Sequence, residues 1–374
     1  MTGAPVFLGS EIYRRSSYGP WHPLRIPRVS TVMDLSRALG WLNGEQYMTS
    51  PRAKSAALQA FHEPAYLAAL QRAEARQSVT GEERARFGLG TTANPVFPEM
   101  FRRPATAAGA SILAGELLKD GGVIHSPAGG THHGMPDRAN GFCYLNDPVL
   151  GILSLRRMGV RRIAYVDVDA HHPDGVESAF ADDPDILMLS VHEERRWPFT
   201  GGLEDRGAGL VFNLPVPPGF NDREMQFVLY ELILPAVVGF RPDAVVLQCG
   251  ADALHEDPLS RLSLSNGALW TVVAALQPVC ARYLVLGGGG YNPWSVGRAW
   301  TGVWAVLNGF EIPDRLPGAA GAVLRGLEWP GHSRSRAPAE EMFTTLRDAP
   351  RDGPVREAVP ARVRTLAERL LAWT

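Results

Sequence analysis

Short runs rich in Val, Ile and Leu alternate along the chain with longer stretches in which apolar residues return at helical spacing. The first pattern suits strands buried on both faces and the second suits helices, so the alternation predicts βα units feeding a parallel sheet. Predicted strands are Val123–Ile124, Ile163–Val168, Ile186–Val191, Val211–Leu214, Ala244–Gln248 and Tyr283–Leu286. Predicted helices lie near Ser30–Leu42, Pro64–Ala75, Met100–Leu118, Asn221–Val237, Asn266–Leu276 and Pro293–Leu307, with a final one near Val355–Trp373. From Ile312 to Ala339 the prolines Pro313, Pro317, Pro330 and Pro338 predict a surface loop instead. No repeat, linker or low-complexity tract divides the chain, which favours one domain over residues 1–374.

Composition narrows the class. The 374 residues are 45% hydrophobic and 20% charged, which excludes disordered, collagen-like and coiled-coil chains. Thirty-seven basic against 39 acidic residues give a formal charge of −2, so nothing global drives the chain toward nucleic acid or an anionic membrane. The longest apolar stretch, Gly267 to Leu276, falls well short of the ~20 residues of a bilayer span. Cys143, Cys249 and Cys280 are odd in number and widely spaced, as reduced thiols are. Met1 to Ser10 lacks the basic flank and apolar core of an export signal, and a cytoplasmic protein is expected. Oligomeric state is not specified by any of this.

Ligands of open α/β sheets bind beyond the carboxyl ends of the strands, and four such places carry chemistry. In the first, Asp167-Val-Asp169-Ala-His171-His172-Pro173-Asp174-Gly175 packs three aspartates and two histidines after one strand. If that strand runs through Asp169, its period of two sets Asp167, Asp169 and His171 on one side. Carboxylate and imidazole two positions apart can share one divalent cation, and Zn²⁺ accepts mixed oxygen and nitrogen ligands. A capped turn accounts for Asp174-Gly175 alone but not for the whole cluster. In the second place, the run Val246 to Gly250 leads into Asp252, which would complete a three-ligand site, although a lone aspartate there could equally cap a turn. In the third, His132 and His133 follow Gly129-Gly130, and the imidazoles can divide base and electrostatic roles if nearby carboxylates set their protonation differently. Asp167 and Asp174 are the available partners; a surface His pair is the plainer alternative. In the fourth, Gly287 to Gly290 precede Tyr291, and so many glycines suggest a close approach to a ligand. Tyr291 would aim its phenol at a developing oxyanion.

These blocks, in this order, resemble the zinc-dependent histone deacetylase and acetoin-utilisation protein family. The resemblance runs from about Val6 to about Gly309 and includes Trp21-His22-Pro23 with Arg28, Gly129-Gly130-Thr131-His132-His133, Gly141-Phe142-Cys143-Tyr144-Leu145-Asn146-Asp147, Asp167 to Gly175, Leu247 to Asp252, and Gly287 to Asn292. It implies a single arginase-like α/β domain with an eight-stranded parallel sheet, a core of about residues 6–309 and an extension over about 310–374. It implies Asp169, His171 and Asp252 as zinc ligands, with Asp167 bonding His132 and Asp174 bonding His133. Phe142 and Gly141 would wall an acyl-lysine tunnel, with Leu259 near the rim and Trp197 or Phe199 opposite. Arg28, Cys143 and Gly289 would border an internal pocket. A potassium ion would sit beside the zinc through Asp167, Asp169, His171, Ser190 and Val191.

The implied activity is hydrolysis of an acyl amide on a lysine side chain or similar small amine, with His133 as base, His132 assisting, and Tyr291 stabilising the oxyanion. The chain departs from the family at three points. Ala93 stands where a rim aspartate grips the substrate backbone, Pro173 replaces a glycine, and Trp197-Pro198-Phe199-Thr200-Gly201-Gly202 shifts an aromatic-Pro-Gly-Thr-Gly pattern. Two rival readings stay open: an arginase-like ureohydrolase with two manganese ions, and a zinc-containing module that binds acyl groups without turnover.

Overall fold

The computed structural model describes residues 3–207, 210–329 and 338–371. Pro330 in the predicted loop and Trp373 at the end of the last predicted helix lie outside the described residues. The strands are β1 (Val6–Gly9), β2 (Tyr47–Thr49), β3 (Gly122–Ser126), β4 (Ile163–Asp167), β5 (Ile186–Glu193), β6 (Leu210–Val216), β7 (Ala244–Gln248) and β8 (Arg282–Leu286). They form one sheet in the order β2-β1-β3-β8-β7-β4-β5-β6. Every pairing is parallel. The expected α/β class with an eight-stranded parallel sheet is therefore observed.

The apolar runs read as strands because both faces are covered. On β4, Ala164 and Val166 enter one buried layer while Ile163 and Tyr165 enter the other; on β7, Val245 and Leu247 oppose Ala244 and Val246 in the same way. Helices Val29–Ala38, Asn266–Leu276 and Pro293–Asn308 cover the first face, and Arg102–Leu117 and Asp147–Arg157 cover the second. A third apolar cluster, with Tyr18, Phe97, Tyr144 and Tyr291, is separate from these two layers. Truncating a fully buried Leu such as Leu247 to Ala should destabilise by about 2–5 kcal/mol.

Several boundaries need correction. The strand predicted over Ile163–Val168 ends at Asp167 and does not run on through Asp169, so Asp169 and His171 lie on the following loop. Within the predicted loop from Ile312 to Ala339, residues Gly318–Arg325 form a helix whose Ala320 and Leu324 are buried in the main core. The helix expected over Asn221–Val237 reaches Phe240, with a wider turn at Leu229–Ile233 ahead of Pro235. The last helix, Ala358–Leu371, buries Val359, Val363, Leu366 and Leu370 at helical spacing and packs against the edge strand β6. No helix among the described residues is long and apolar enough to cross a membrane.

Candidate active site

Strands β3, β8, β7 and β4 are consecutive neighbours in the sheet. The chain leaving their carboxyl ends carries, respectively, His132 and His133, then Tyr291, then Asp252, then Asp169 and His171. Four blocks far apart in sequence are thus delivered to one edge of the sheet. Beyond β4 a ladder of local hydrogen bonds fixes the loop: Asp169 N–H donates to Asp167 Oδ1 at 3.0 Å, and His171 N–H donates to Asp169 Oδ1 at 3.0 Å. This ladder, rather than strand geometry, holds the three side chains together.

Asp169, His171 and Asp252 are buried, and each offers a ligand atom within 4.8 Å of the others. His171 Nδ1 lies 3.2 Å from Asp169 Oδ1 and 2.9 Å from Asp252 Oδ2. The remaining oxygens are held by backbone donors, Asp169 Oδ2 by Gly289 N–H at 2.6 Å and Asp252 Oδ1 by Ala170 N–H at 3.0 Å. A carboxylate so tied keeps one oxygen pointed inward. A Cβ on Gly289 would fall 1.9 Å from Asp252 Oδ2, which answers why this position is glycine. Burial works against a charge on His171, yet hydrogen bonds to Asp169 and Asp252 raise it to about 10. Burial pushes Asp252 up, with Asp169 adding to the effect, while His132 and His171 overcome burial and hold Asp169 low. Two carboxylate oxygens and one imidazole nitrogen in a buried cleft fit the donor set of a zinc ion with three protein ligands. Among the described residues, this is the one place where three such ligand residues converge.

The two adjacent histidines meet different surroundings. His132 Nδ1–H donates to Asp167 Oδ2 at 2.8 Å and His133 Nδ1–H to Asp174 Oδ1 at 2.7 Å, while the two Nε2 atoms lie 2.9 Å apart. Burial disfavours charge on His132, but Asp167 and Asp169 outweigh it and raise the imidazole to about 9. Burial and the neighbouring His132 pull His133 down to about 4. Where His132 carries the shared proton, its Nε2–H donates to His133 Nε2, which is then the unprotonated nitrogen of the pair. Asp174 is held below its usual range against burial by its bond to His133. Pro173, at φ −79°, suits the residue entering the helix Asp174–Phe180 and leaves the Asp174–His133 bond intact.

Tyr291, His132, His133, Asp169, His171, Gly141, Phe142, Arg28, Cys143 and Gly289 line one cavity. Burial pushes the Tyr291 phenol well above its ordinary range, reinforced by Asp252. The Phe142 ring stands edge-on to Tyr291 at 5.8 Å, and Leu259 packs in the same apolar cluster. Trp197 lies 4.6 Å from the His133 ring and so close to Gly141 that a Cβ there would meet its ring at 2.2 Å. Phe199, the alternative opposite wall, is 74% exposed. Arg28 donates to Gly288 O at 2.7 Å and stacks over Trp300, while the buried Cys143 bonds Gly141 O. Ser190 pairs in register with Asp167 on the neighbouring strand and shares a hydrogen bond with His192, and Val191 is buried. Ala93 brings no carboxylate to the rim; its carbonyl accepts from His22 Nε2 at 3.1 Å.

Some supporting residues carried no separate signal in the sequence. Asp147, fully buried, accepts from Gly130 N–H, Thr131 N–H and Ser111 Oγ and so holds the loop that presents the His pair. Asn140 Nδ2 donates to Asp174 Oδ2 at 2.9 Å. Asn94 Oδ1 accepts from Phe142 N–H at 3.0 Å, fixing a residue whose φ is +69°. Asp147 stands inside a family block, but its role shows only once the loops are folded.

Comparison with known proteins places the chain in a family. A histone deacetylase domain matches residues 22–307. The chain is 32% identical to an acetoin utilization protein of Bacillus subtilis over 83% of its own length and 84% of the relative's. It is 33% identical to histone deacetylase 9 of Arabidopsis thaliana over 80% of its length and 72% of the relative's. The crystal structure of a histone deacetylase homolog from Aquifex aeolicus superposes with a TM-score of 0.92 at 36% identity, covering 97% of this chain and 100% of that one. A homolog complexed with SAHA superposes at 0.93, also at 36% identity and with the same coverage. The chain belongs to the histone deacetylase family and is a hydrolase of the deacetylase type.

Proposed function

We propose that this chain is a zinc-dependent deacylase that removes an acetyl or other acyl group from a lysine side chain or a similar amine. The observation that carries this reading is the convergence of Asp169, His171 and Asp252 beside His132 and His133, each bonded to its own aspartate, with Tyr291 lining the cavity they share. Asp169, His171 and Asp252 would hold the zinc, which when bound polarises an acyl carbonyl and acidifies water. His133 Nε2 takes the proton of the attacking water and later returns it to the leaving amine, while Asp174 orients the ring through Nδ1. His132, bonded to Asp167, stays cationic and favours negative charge building on the acyl carbon's oxygens. Tyr291 donates its phenolic proton toward that same charge. Phe142 and Trp197 form the apolar walls, and Trp197 rather than the exposed Phe199 faces His133. Potassium is read beside the zinc loop at Asp167, Asp169, His171, Ser190 and Val191, supported by the side-by-side register of Asp167 and Ser190.

An arginase-like binuclear site finds no support, since Pro173 offers no carboxylate where the second metal needs one. The test is a panel of acyl-lysine peptides and acylated polyamines given to zinc-loaded wild type, Tyr291→Phe and Asp252→Asn. Wild type should turn over at least one of them, and each variant should lose ~10²-fold or more. Silence of the wild type on every acyl amide would transfer the reading to a binding module. Turnover indifferent to Asp252→Asn would remove the ligand assignment.

A further inference from the structure

Tyr291 ends a run of four glycines, of which Gly288 and Gly290 take φ of +139° and +138°. Such a run leaves the backbone many alternatives, whereas a phenol that must meet a developing charge tolerates little displacement. The neighbouring loop, residues 251–260, supplies what the glycines lack. Ala251 N–H donates to Gly289 O at 2.8 Å, and Asn292 Nδ2 donates to Glu256 O at 3.3 Å. Directly after Glu256 comes Asp257, a buried carboxylate outside the three-ligand cluster and without a part in the proton transfers. Its Oδ1 accepts from Leu259 N–H at 2.9 Å, an ordinary local turn. Its Oδ2 accepts from the amide of Tyr291 itself at 2.7 Å, across 34 residues of sequence. Turn formation explains the first bond and not the second.

We propose that Asp257 is a positioning residue for Tyr291: one carboxylate pegs the tyrosine's amide and the rim residue Leu259, so the loop that carries Asp252 also sets where the phenol stands. This rests on the reading of Tyr291 as the oxyanion donor. Asp257→Asn keeps the shape but replaces one acceptor oxygen with a donor, so one of the two amides loses its partner.

The test is a double-mutant cycle on an acyl-lysine substrate, with zinc content and melting followed in parallel. Asp257→Asn should lower kcat by ~10-fold or more with KM within about twofold and one zinc retained. In the Tyr291→Phe background the same substitution should cost nothing further, because there is no phenolic hydroxyl left to place. Asp257→Glu, which keeps both acceptors, should lose less than Asp257→Asn; where the Asn variant fails to fold, the Glu variant carries the same cycle. An equal fall in kcat with and without the Tyr291 hydroxyl, or a wild-type kcat in Asp257→Asn, overturns the proposal. A Tyr291→Phe enzyme as fast as wild type would instead overturn the reading of Tyr291, and this proposal with it.

Discussion

His132 and His133 are the same residue at consecutive positions, and their difference is made entirely by neighbours. Asp167 and Asp169 act on His132, with Asp174 adding to them, where Asp174 alone raises His133, and the charge favoured on the first suppresses charge on the second. The result favours charge on His132 and leaves His133 as the neutral partner, the division of labour the proposed proton transfer requires. His133→Ala should therefore lower kcat by ~10²–10⁴ while zinc binding persists, checked by steady-state kinetics beside a metal assay. Loss of the metal together with activity would mean that His133 acts through the ligand cluster. At this scale the chemistry-bearing residues were legible because Asp, His and Tyr were concentrated at strand ends. Asn94, Asn140 and Asp147 were not, since each works through backbone or second-carboxylate contacts that exist only after folding.

The elements that matter most are the loops, and the sequence showed them through their glycines more clearly than through any length or composition. Gly289 approaches Asp252 so closely that a single methyl group would collide with the carboxylate, and its amide holds Asp169. Gly289→Ala should weaken zinc affinity by ~10–100-fold in a competition titration with a chelator, with the fold preserved by far-ultraviolet circular dichroism. Unchanged affinity would show that the loop can yield. The central strands were legible as apolar runs because both faces are buried. Strand β2 was not, being three residues long, on the sheet edge and partly exposed; β1, of four residues, offers a run only one residue longer. The helix Asp147–Arg157 is hidden for a different reason: most of its residues are buried, Asp147 and Ser154 among them, so it shows no continuous polar stripe. In Gly318–Arg325, flanking proline and two glycines masked a helix that the core nonetheless captures.

For the whole molecule, strand order is decisive: a site drawn from residues 132 to 291 exists because β3, β8, β7 and β4 lie side by side. That order was beyond the hydrophobic pattern; the family resemblance implied an eight-stranded parallel sheet but not which strands adjoin. The same dense interior holds histidines that are neutral because burial forbids charge, among them His125 beneath Trp304 and Phe7, lowered to about 4 from 6.5. The unfolded chain binds a proton at that position below about pH 6.5 and the folded chain does not until about pH 4. His125 therefore leaves stability whole above 6.5 and subtracts from it progressively as pH falls toward 4, by about 3 kcal/mol in full. His125→Leu should lose correspondingly less stability than wild type between those pH values, measured by urea midpoints. Parallel losses would show that His125 ionises as freely in the fold as outside it.

The central claim is that Asp169, His171 and Asp252 enclose one zinc ion. Metal content and zinc affinity of the purified chain, compared with Asp252→Asn under the same loading, test it most directly. The account predicts one zinc per wild-type chain and a large fall in affinity in the variant. A wild type that takes up no zinc, or a variant that holds it equally tightly, would contradict it.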